Sequence, residues 1–361
     1  MKLGARIMKT GIAIILALYL AQLFHIPSPV FAGIAAIFAI QPTIYRSYLT
    51  VVEQIQGNII GAVVGIACFL LFGNHIFIVG FAAIITIGIM LRLNLENSIR
   101  LALVTIIAIM EATAEDFLQF ATLRSLSIFL GIMSSFIVNL IFLPPKYETK
   151  LFQSISEVTE DILKWIRLTT RFASEDALLK KDIGTIKGRL SKVNQFYSMY
   201  EEERRYWWYF KKVEFSRQRK LAIYRQMIQV TQKSFDILKL QHRYENILLK
   251  LPESLQIDTR NRLDYLLSYH EQLLLKYLGR VRSEVELDDI VYGEASRNLL
   301  RDAYLKEIKK ENVEDEFQPY HLMHILSAII EYEEQLEQLD KFIRTSQKYH
   351  KKETEFTIDG T

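Results

Sequence analysis

The chain has 361 residues, enough for two domains, and a formal net charge of only +3. That small charge gives no reason to expect a nucleic-acid partner, and the single cysteine, Cys68, excludes an internal disulfide or a cysteine-based zinc site. The charges are unevenly placed. Residues 1–145 contain seven Lys/Arg and five Asp/Glu, whereas 37 basic and 36 acidic residues follow them. The composition therefore predicts a membrane domain followed by a charge-rich domain.

Apolar segments divide the first domain, residues 1–145, into six predicted membrane helices. We place them at about 7–24, 28–44, 52–72, 76–91, 98–112 and 123–143. Several are shorter than the roughly 20 residues that span hydrocarbon, which local bilayer thinning or incomplete crossing would accommodate. The first segment is not interpreted as a signal peptide, because no small-x-small cleavage site follows it and five further apolar segments do.

Basic residues predict the orientation of these helices. One side carries eight of them and the other side only Arg124; the eight are Lys2, Arg6, Lys9, Arg46, Arg92, Arg100, Lys146 and Lys150. The positive-inside rule then places both termini in the cytoplasm. It also places Glu111, Glu115 and Asp116 outside, as a solvated loop or, alternatively, as a proton or cation exit.

The stretch 41–65, QPTIYRSYLTVVEQIQGNIIGAVVG, is the most informative part of the sequence. Gly57, Gly61 and Gly65 lie four residues apart, a spacing that lets two helix backbones approach closely in lipid. Glu53 lies on the same stripe. Asn58 lies within the same apolar segment, where polar side chains are costly unless they face protein or water. We therefore predict helix packing for the glycines, and for Glu53 either a transport role or a pairing role.

Arginines lie on the same predicted side of the membrane as Glu53. Arg46 precedes the glycine-containing helix, and the loop after the fourth helix carries Arg92, Glu96 and Arg100. Arg92 or Arg100 could pair with Glu53 or Glu96, or could bind a carboxylate substrate, since the planar guanidinium matches that group. The alternative is a topology signal that contacts lipid head groups. The candidate substrate-path residues are Arg46, Glu53, Asn58, Arg92, Glu96 and Arg100.

Residues 146–350 show helical periodicity throughout and no alternating strand pattern. Apolar residues repeat at alternating spacings of three and four, as in antiparallel bundles and coiled coils. We predict about five long helices, with middle ones near 185–215 and 217–250, and a frayed tail at 351–361. The fold class is therefore all-α, a six-helix transmembrane bundle followed by a cytoplasmic helical bundle.

Two further patterns in this second domain are weighed and given low priority. The aromatic run 206–210 is flanked by four basic residues and could lie at the membrane surface, although part of it could equally be bundle core. His321 and His324 lie three apart on a predicted helix, but without matching ligands nearby we predict no metal site. No nucleophile triad, P-loop or GxGxxG motif is present, so we predict neither an enzyme nor a bound cofactor.

The order of these features resembles the bacterial aromatic acid exporter family, which is related to fusaric-acid-resistance transporters. The resemblance is carried by the six-helix unit, by the stretch 41–65, by SIRLALVTIIAIM in the fifth helix, and by Pro144-Pro145 before a helical C-terminal domain. It covers essentially the whole chain. Its motifs are packing motifs, and none of them specifies a substrate.

The resemblance implies a multi-pass protein of the bacterial plasma membrane that contacts lipids and exports aromatic or other hydrophobic carboxylic acids. It also implies proton coupling, and a homo-oligomer, because larger members of the wider group carry two six-helix halves. The chain departs from a typical proton-coupled site in lacking an acidic residue mid-helix. The alternative function is a non-transporting scaffold or sensor whose cytoplasmic domain recruits a partner, since more than half of the chain follows the membrane segments.

Overall fold

A computed structural model of the chain describes residues 4–26, 28–73, 75–111, 117–142, 147–208, 214–281, 288–309 and 318–349. Within these residues the regular structure is entirely helical, so the prediction of an all-α chain is confirmed for them. The chain divides into two compact units. Unit 1 comprises Met1–Pro145 with Glu202–Phe210, and unit 2 comprises Lys146–Glu201 with Lys211–Thr361.

Unit 1 contains six apolar α-helices and one short 3-10 turn, Glu96–Ser98, between the fourth and fifth of them. The helices are α1 (Gly4–Leu23), α2 (Val30–Ala39), α3 (Ile44–Phe72), α4 (Ile76–Arg92), α5 (Ile99–Met110) and α6 (Phe117–Ile141). Two of these helices are long and apolar enough to cross a membrane, along Tyr45–Phe72 and Gln119–Ile141. Three shorter apolar helices accompany them within the described residues, along Ile7–Leu23, Val30–Ala39 and Ile76–Arg92.

The predicted boundary between the second and third helices is wrong. The second helix ends at Ala39 rather than 44, and the third begins at Ile44 rather than 52. Proline disfavours helical geometry in the residue before it, so the chain is extended as it approaches Pro42. The hydroxyl of Thr43 then accepts a hydrogen bond from the backbone N–H of Arg46 and caps the new helix. Arg46 therefore lies in the first turn of α3 and not in a loop.

The glycines of α3 face α5. Cβ atoms added at Gly57, Gly61 and Gly65 would meet Ser98, Ala102 and Ile106 respectively, so the two helices run in parallel with matching four-residue steps. A Cβ at Gly61 would lie only 2.8 Å from the carbonyl oxygen of Ala102. Small residues thus allow backbone-to-backbone contact here.

An even closer approach joins α6 to α2. A Cβ added at Gly131 would overlap the carbonyl oxygen of Ala32, and it would also lie 2.8 Å from the Cβ of Ala35. Both alanines are fully buried, as is Ala36 on the same helix. The alanine-rich sequence of α2 therefore allows α6 to approach closely. This packing fixes the position of α2, which lines the candidate site.

Unit 2 is built from long helices that bury the apolar stripes seen in the sequence. They are α7 (Tyr147–Thr170), α8 (Asp176–Trp208, which belongs to unit 1 from Glu202 onward), α9 (Glu214–Arg243), α10 (Glu245–Leu249), α11 (Glu253–Tyr277), α12 (Asp288–Ile308) and α13 (Gln318–Tyr349). One core collects Leu151 and Ile162 of α7 with Leu266 of α11 and Leu336 of α13. The side chains of the aromatic run 206–210 and the predicted frayed tail at 351–361 lie outside the described residues.

Buried polar pairs cross the core of unit 2. Arg262 forms an ion pair with Glu333, and Lys276 donates to Asp340 at 2.8 Å. His270 Nδ1 lies 2.9 Å from the hydroxyl of Tyr332. Burial lowers the pKa of His270 to about 3, so this imidazole is neutral at neutral pH.

Candidate functional site

A cavity of about 500 Å³ opens in unit 1 between α2, the first half of α3 and the start of α5. Its volume lies in the range of sites that hold small organic molecules. The polar lining residues are Gln41, Tyr45, Arg46, Thr50, Glu53, Gln54, Asn97, Arg100 and Glu202, and the apolar ones are Ile37, Phe38, Ile40, Leu49 and Leu101. Cationic groups and an apolar wall therefore line the same cavity.

One arginine of the cavity is already engaged with a carboxylate. Arg46 Nε lies 2.6 Å from Glu202 Oε2, and its Nη2 lies 2.7 Å from Glu202 Oε1, both within unit 1. Such a two-pronged arrangement is the geometry in which guanidinium recognises carboxylate most selectively. Both side chains keep contact with solvent, which limits the strength of the pair. Arg46 is therefore placed to exchange this carboxylate for another.

Glu53 lies on the wall of the same cavity. Its carboxylate accepts a hydrogen bond of 3.3 Å from Asn97 Nδ2, which belongs to the 3-10 turn before α5. Arg100, one turn further along, lines the cavity as well. The turn after α4 thus brings the amide of Asn97 to the carboxylate of Glu53, and Arg100 of α5 lines the same cavity.

Buried polar side chains continue from the cavity into the unit. Gln54 is 2% exposed, lines the cavity and leaves its Oε1 without a hydrogen-bond partner. One turn deeper, Asn58 accepts a 2.9 Å hydrogen bond from Thr105 and donates to the carbonyl oxygen of Ser125 at 3.4 Å. These groups connect α3, α5 and α6. The arrangement forms a polar track, which we define as Gln54, Asn58 and Thr105.

The predicted site residues divide into two groups in the structure. Arg46, Glu53 and Arg100 meet at the cavity, and Asn58 lies along the polar track. Arg92 and Glu96 are exposed and do not line the cavity. Arg92 and Glu96 are close to Arg100 in the sequence, but their side chains are not part of the cavity lining.

Several polar residues of this unit were not among the predicted ones. Gln54 and Thr50 share an i, i+4 stripe with the predicted residue Asn58, and Ser47 lies one turn before Thr50, so the sequence indicates this buried polar face. Arg124, on α6, is 5% exposed and lies over the ring of Phe31. No local sequence signal indicated its burial, because the aromatic ring that covers it belongs to α2.

The acidic residues predicted at the opposite end of these helices are only partly described. Glu111 is exposed at the end of α5. Glu115 and Asp116 lie outside the described residues. The two interpretations of this cluster, a solvated loop or an ion exit, both stay predictions.

One group of side chains in unit 2 has donor types that suit a divalent metal ion. The ligand atoms of Asp176, His242 and Glu245 lie within 4.8 Å of one another. Asp176 is exposed, and His242 Nδ1 lies 3.1 Å from its carboxylate, which is also an ordinary surface pairing. The pair His321 and His324 instead packs near Tyr244, whose ring stacks on His321 at 4.5 Å. Neither arrangement bears on the cavity of unit 1.

The helices of unit 1 fall in a stretch that matches a transporter family. Residues 1–142 match the family described as Aromatic acid exporter family member 1. The resemblance noted in the sequence is therefore confirmed, and the chain belongs to the aromatic acid exporter family.

Three relatives match more residues of the chain than the 142 that the family match covers. The chain is 48% identical over 360 residues to the UPF0421 protein YgaE of Bacillus subtilis, covering 99% of this chain and 100% of that protein. It is 30% identical over 165 residues to the UPF0421 protein OB2406 of Oceanobacillus iheyensis, covering 46% and 47% of the two chains. A third relative, SH1063 of Staphylococcus haemolyticus, is 27% identical over 213 residues, or 56% of this chain and 63% of that one.

Proposed function

We propose that this membrane protein exports small organic anions with an aromatic or otherwise apolar body, and that the cavity of unit 1 is where they bind first. The observation that carries this proposal is the cavity itself. It joins two arginines to an apolar wall, and one of the arginines already holds a carboxylate in two-pronged geometry.

The chemistry of the lining suits such a molecule at both ends. Arg46 and Arg100 would attract and orient the carboxylate, because hydrogen bonds to ionised groups are shorter and stronger than neutral ones. Phe38 and Leu49 would cover the apolar body. A neutral molecule of the same shape would lose the charge-assisted contacts and bind less well. The substrate class is therefore set by a carboxylate next to an apolar group.

The direction of transport and its energy source form a further part of the proposal. Among the described residues of unit 1, the buried polar side chains include no carboxylate. Proton coupling would therefore use Glu53, which is partly accessible and faces the arginines of the cavity. Protonated Glu53 would no longer compete with the substrate for Arg46 or Arg100, which links proton binding to anion binding.

The proposed topology follows the distribution of basic residues. Six membrane helices, with both termini and unit 2 in the cytoplasm, would place Arg46 and Arg100 on the cytoplasmic side. The anions of the cell interior would then reach the cavity directly. Such short helices would be accommodated by assembly into a homo-oligomer in a locally thinned bilayer.

The proposal is tested by counterflow of labelled benzoate into proteoliposomes that contain the full-length protein. We expect exchange that is inhibited by other aromatic acids and not by benzyl alcohol. Replacing both Arg46 and Arg100 by Gln should reduce the initial rate at least about tenfold, because charge-assisted contacts are lost. Arg92→Gln is the matched control, since Arg92 is an exposed arginine near the same turn that does not line the cavity.

Two results would contradict the proposal. Equal loss of exchange in Arg92→Gln and in the double variant would remove the cavity assignment. No exchange of any aromatic acid by folded, inserted wild-type protein would contradict the transport function and favour the scaffold function.

A further inference from the structure

We propose that Arg124 forms a second anion-binding position on the substrate route, deeper in unit 1 than the cavity. This inference rests on the proposed function, because it assigns a second binding residue to the same route. It starts from a buried cation. Arg124 is 5% exposed, and its Nε has no hydrogen-bond partner. An arginine does not lose its charge in proteins, so this charge persists in the interior.

Two aromatic rings lie beside the guanidinium of Arg124. Its central carbon lies over the ring of Phe31 from α2 and 5.3 Å from the ring centroid of Phe120 on α6. Such cation–π contacts do not use up the N–H donors of the guanidinium. The N–H at Nε has no hydrogen-bond partner, so it stays available to an acceptor. The two rings also offer an apolar surface beside the donors, which matches an aromatic carboxylate.

The described part of the chain provides no ion-pair partner for this charge. Glu111, the described acidic residue at the end of α5, forms no ion pair with Arg124. A buried charge is costly without a partner, and charged residues within membrane segments commonly mark a substrate or ion route. A carboxylate that arrives with the substrate would complete this site.

The polar track connects this position to the cavity. Asn58 donates to the carbonyl oxygen of Ser125, which is the residue next to Arg124, and accepts from Thr105. Gln54, one turn before Asn58, lines the cavity. An anion that leaves Arg46 and Arg100 would therefore pass hydrogen-bond donors and then meet a second guanidinium. Successive sites of this kind allow binding that is strong enough for capture and weak enough for release.

The test measures binding of 4-fluorobenzoate to the purified full-length protein by fluorine NMR titration. The starting variant carries Arg46→Gln and Arg100→Gln, so that binding at the cavity is weakened and the remaining binding reports on the deeper position. We expect residual binding that becomes at least about tenfold weaker when Arg124→Gln is added, because a charge-assisted contact is lost. With Arg124→Lys in the same background, the affinity for 4-fluorobenzoate should lie between those measured with Arg124 and with Arg124→Gln, since lysine keeps the charge but lacks the planar fork.

The controls separate this inference from the proposed function and from a structural effect. Titration with 4-fluorobenzyl alcohol should be the same with and without Arg124→Gln, because the neutral probe gains nothing from the cation. Residual 4-fluorobenzoate binding that is absent, or unchanged by Arg124→Gln, would overturn the inference. Absence of benzoate counterflow in the wild-type protein would overturn the proposed function alone, since the binding titration does not depend on transport.

Discussion

The two units bury charge in opposite ways. In unit 2, Arg262 is paired with Glu333 and Lys276 with Asp340, so that each buried cation has a carboxylate from another helix. In unit 1, the only buried charged residue among those described is Arg124, and it has aromatic rings around it instead of a carboxylate.

This difference separates a structural use of charge from a functional one. A buried ion pair with both partners present costs little free energy, whereas the loss of one partner is strongly destabilising. Such pairs therefore specify how helices pack. A buried cation without a carboxylate partner costs free energy, and charged residues within membrane segments commonly mark a substrate or ion route. We therefore read unit 2 as a self-contained helical scaffold and unit 1 as the unit that accepts an anion.

The largest expected effect comes from removing one partner of a buried ion pair in unit 2. Glu333→Gln removes the carboxylate that pairs with Arg262, which is 1% exposed, and should lower the free energy of unfolding by about 3–5 kcal/mol. Glu331→Gln is the matched control, because Glu331 pairs with Lys233 at the surface and should cost at most about 1 kcal/mol. Hydrogen exchange of the full-length protein, read on α11 and α13, measures both. Equal protection in the two variants would contradict the structural role of the buried pair.

The next effect concerns helix approach in unit 1. Gly131→Ala would place a methyl group against the backbone of Ala32 and should reduce stability by about 1–3 kcal/mol, because neither backbone can yield without separating the helices. Gly88→Ala on α4 is the control, since a Cβ there meets nothing within 4 Å. Thermal unfolding in detergent compares the two variants. A normal melting temperature for Gly131→Ala would contradict the close approach of α2 and α6.

A smaller effect is expected from pH. The pKa of His270 is lowered to about 3 by burial, whereas in the unfolded chain it is near 6.5. Below about pH 6.5 the unfolded state binds a proton that the folded state does not, so stability falls by about 1.4 kcal/mol per pH unit as the pH decreases. His270→Gln should remove this contribution, and the exposed His324→Gln should not. The check is the difference in melting temperature between pH 7.5 and pH 5.5, and an identical difference in wild type and His270→Gln would contradict it.

The smallest effect concerns Glu202, which occupies the fork of Arg46. Glu202→Gln should remove the competing carboxylate from Arg46 and strengthen the apparent affinity for benzoate by a few-fold at most, because exposed pairs contribute about 0–1 kcal/mol. Glu96→Gln is the control, as Glu96 is exposed and does not line the cavity. Competition of benzoate with labelled substrate in proteoliposomes measures the shift. Weaker apparent affinity in Glu202→Gln would show that Glu202 assists binding instead of competing with it.

Features that depend on local spacing could be predicted from the sequence. The glycine stripe of α3 and the polar character of Glu53 and Asn58 are of this kind, because both follow from helical periodicity. The sequence predicts a start of α3 near residue 52, later than the observed Ile44, because polar residues follow Thr43. It predicts Arg124 to be the single basic residue on the side opposite the other eight. Its burial depends on contact with Phe31, more than ninety residues away in the sequence, and no local pattern reports such a contact.

The most direct test of the cavity as the anion site is the location of 4-bromobenzoate in a crystal of the full-length protein, from the anomalous scattering of bromine. We expect bromine density among the apolar side chains of the cavity, with the carboxylate within hydrogen-bonding distance of Arg46 or Arg100 and with Glu202 displaced. Density that lies only elsewhere in the protein, with the pair of Arg46 and Glu202 undisturbed and Arg100 uncontacted, would contradict this expectation.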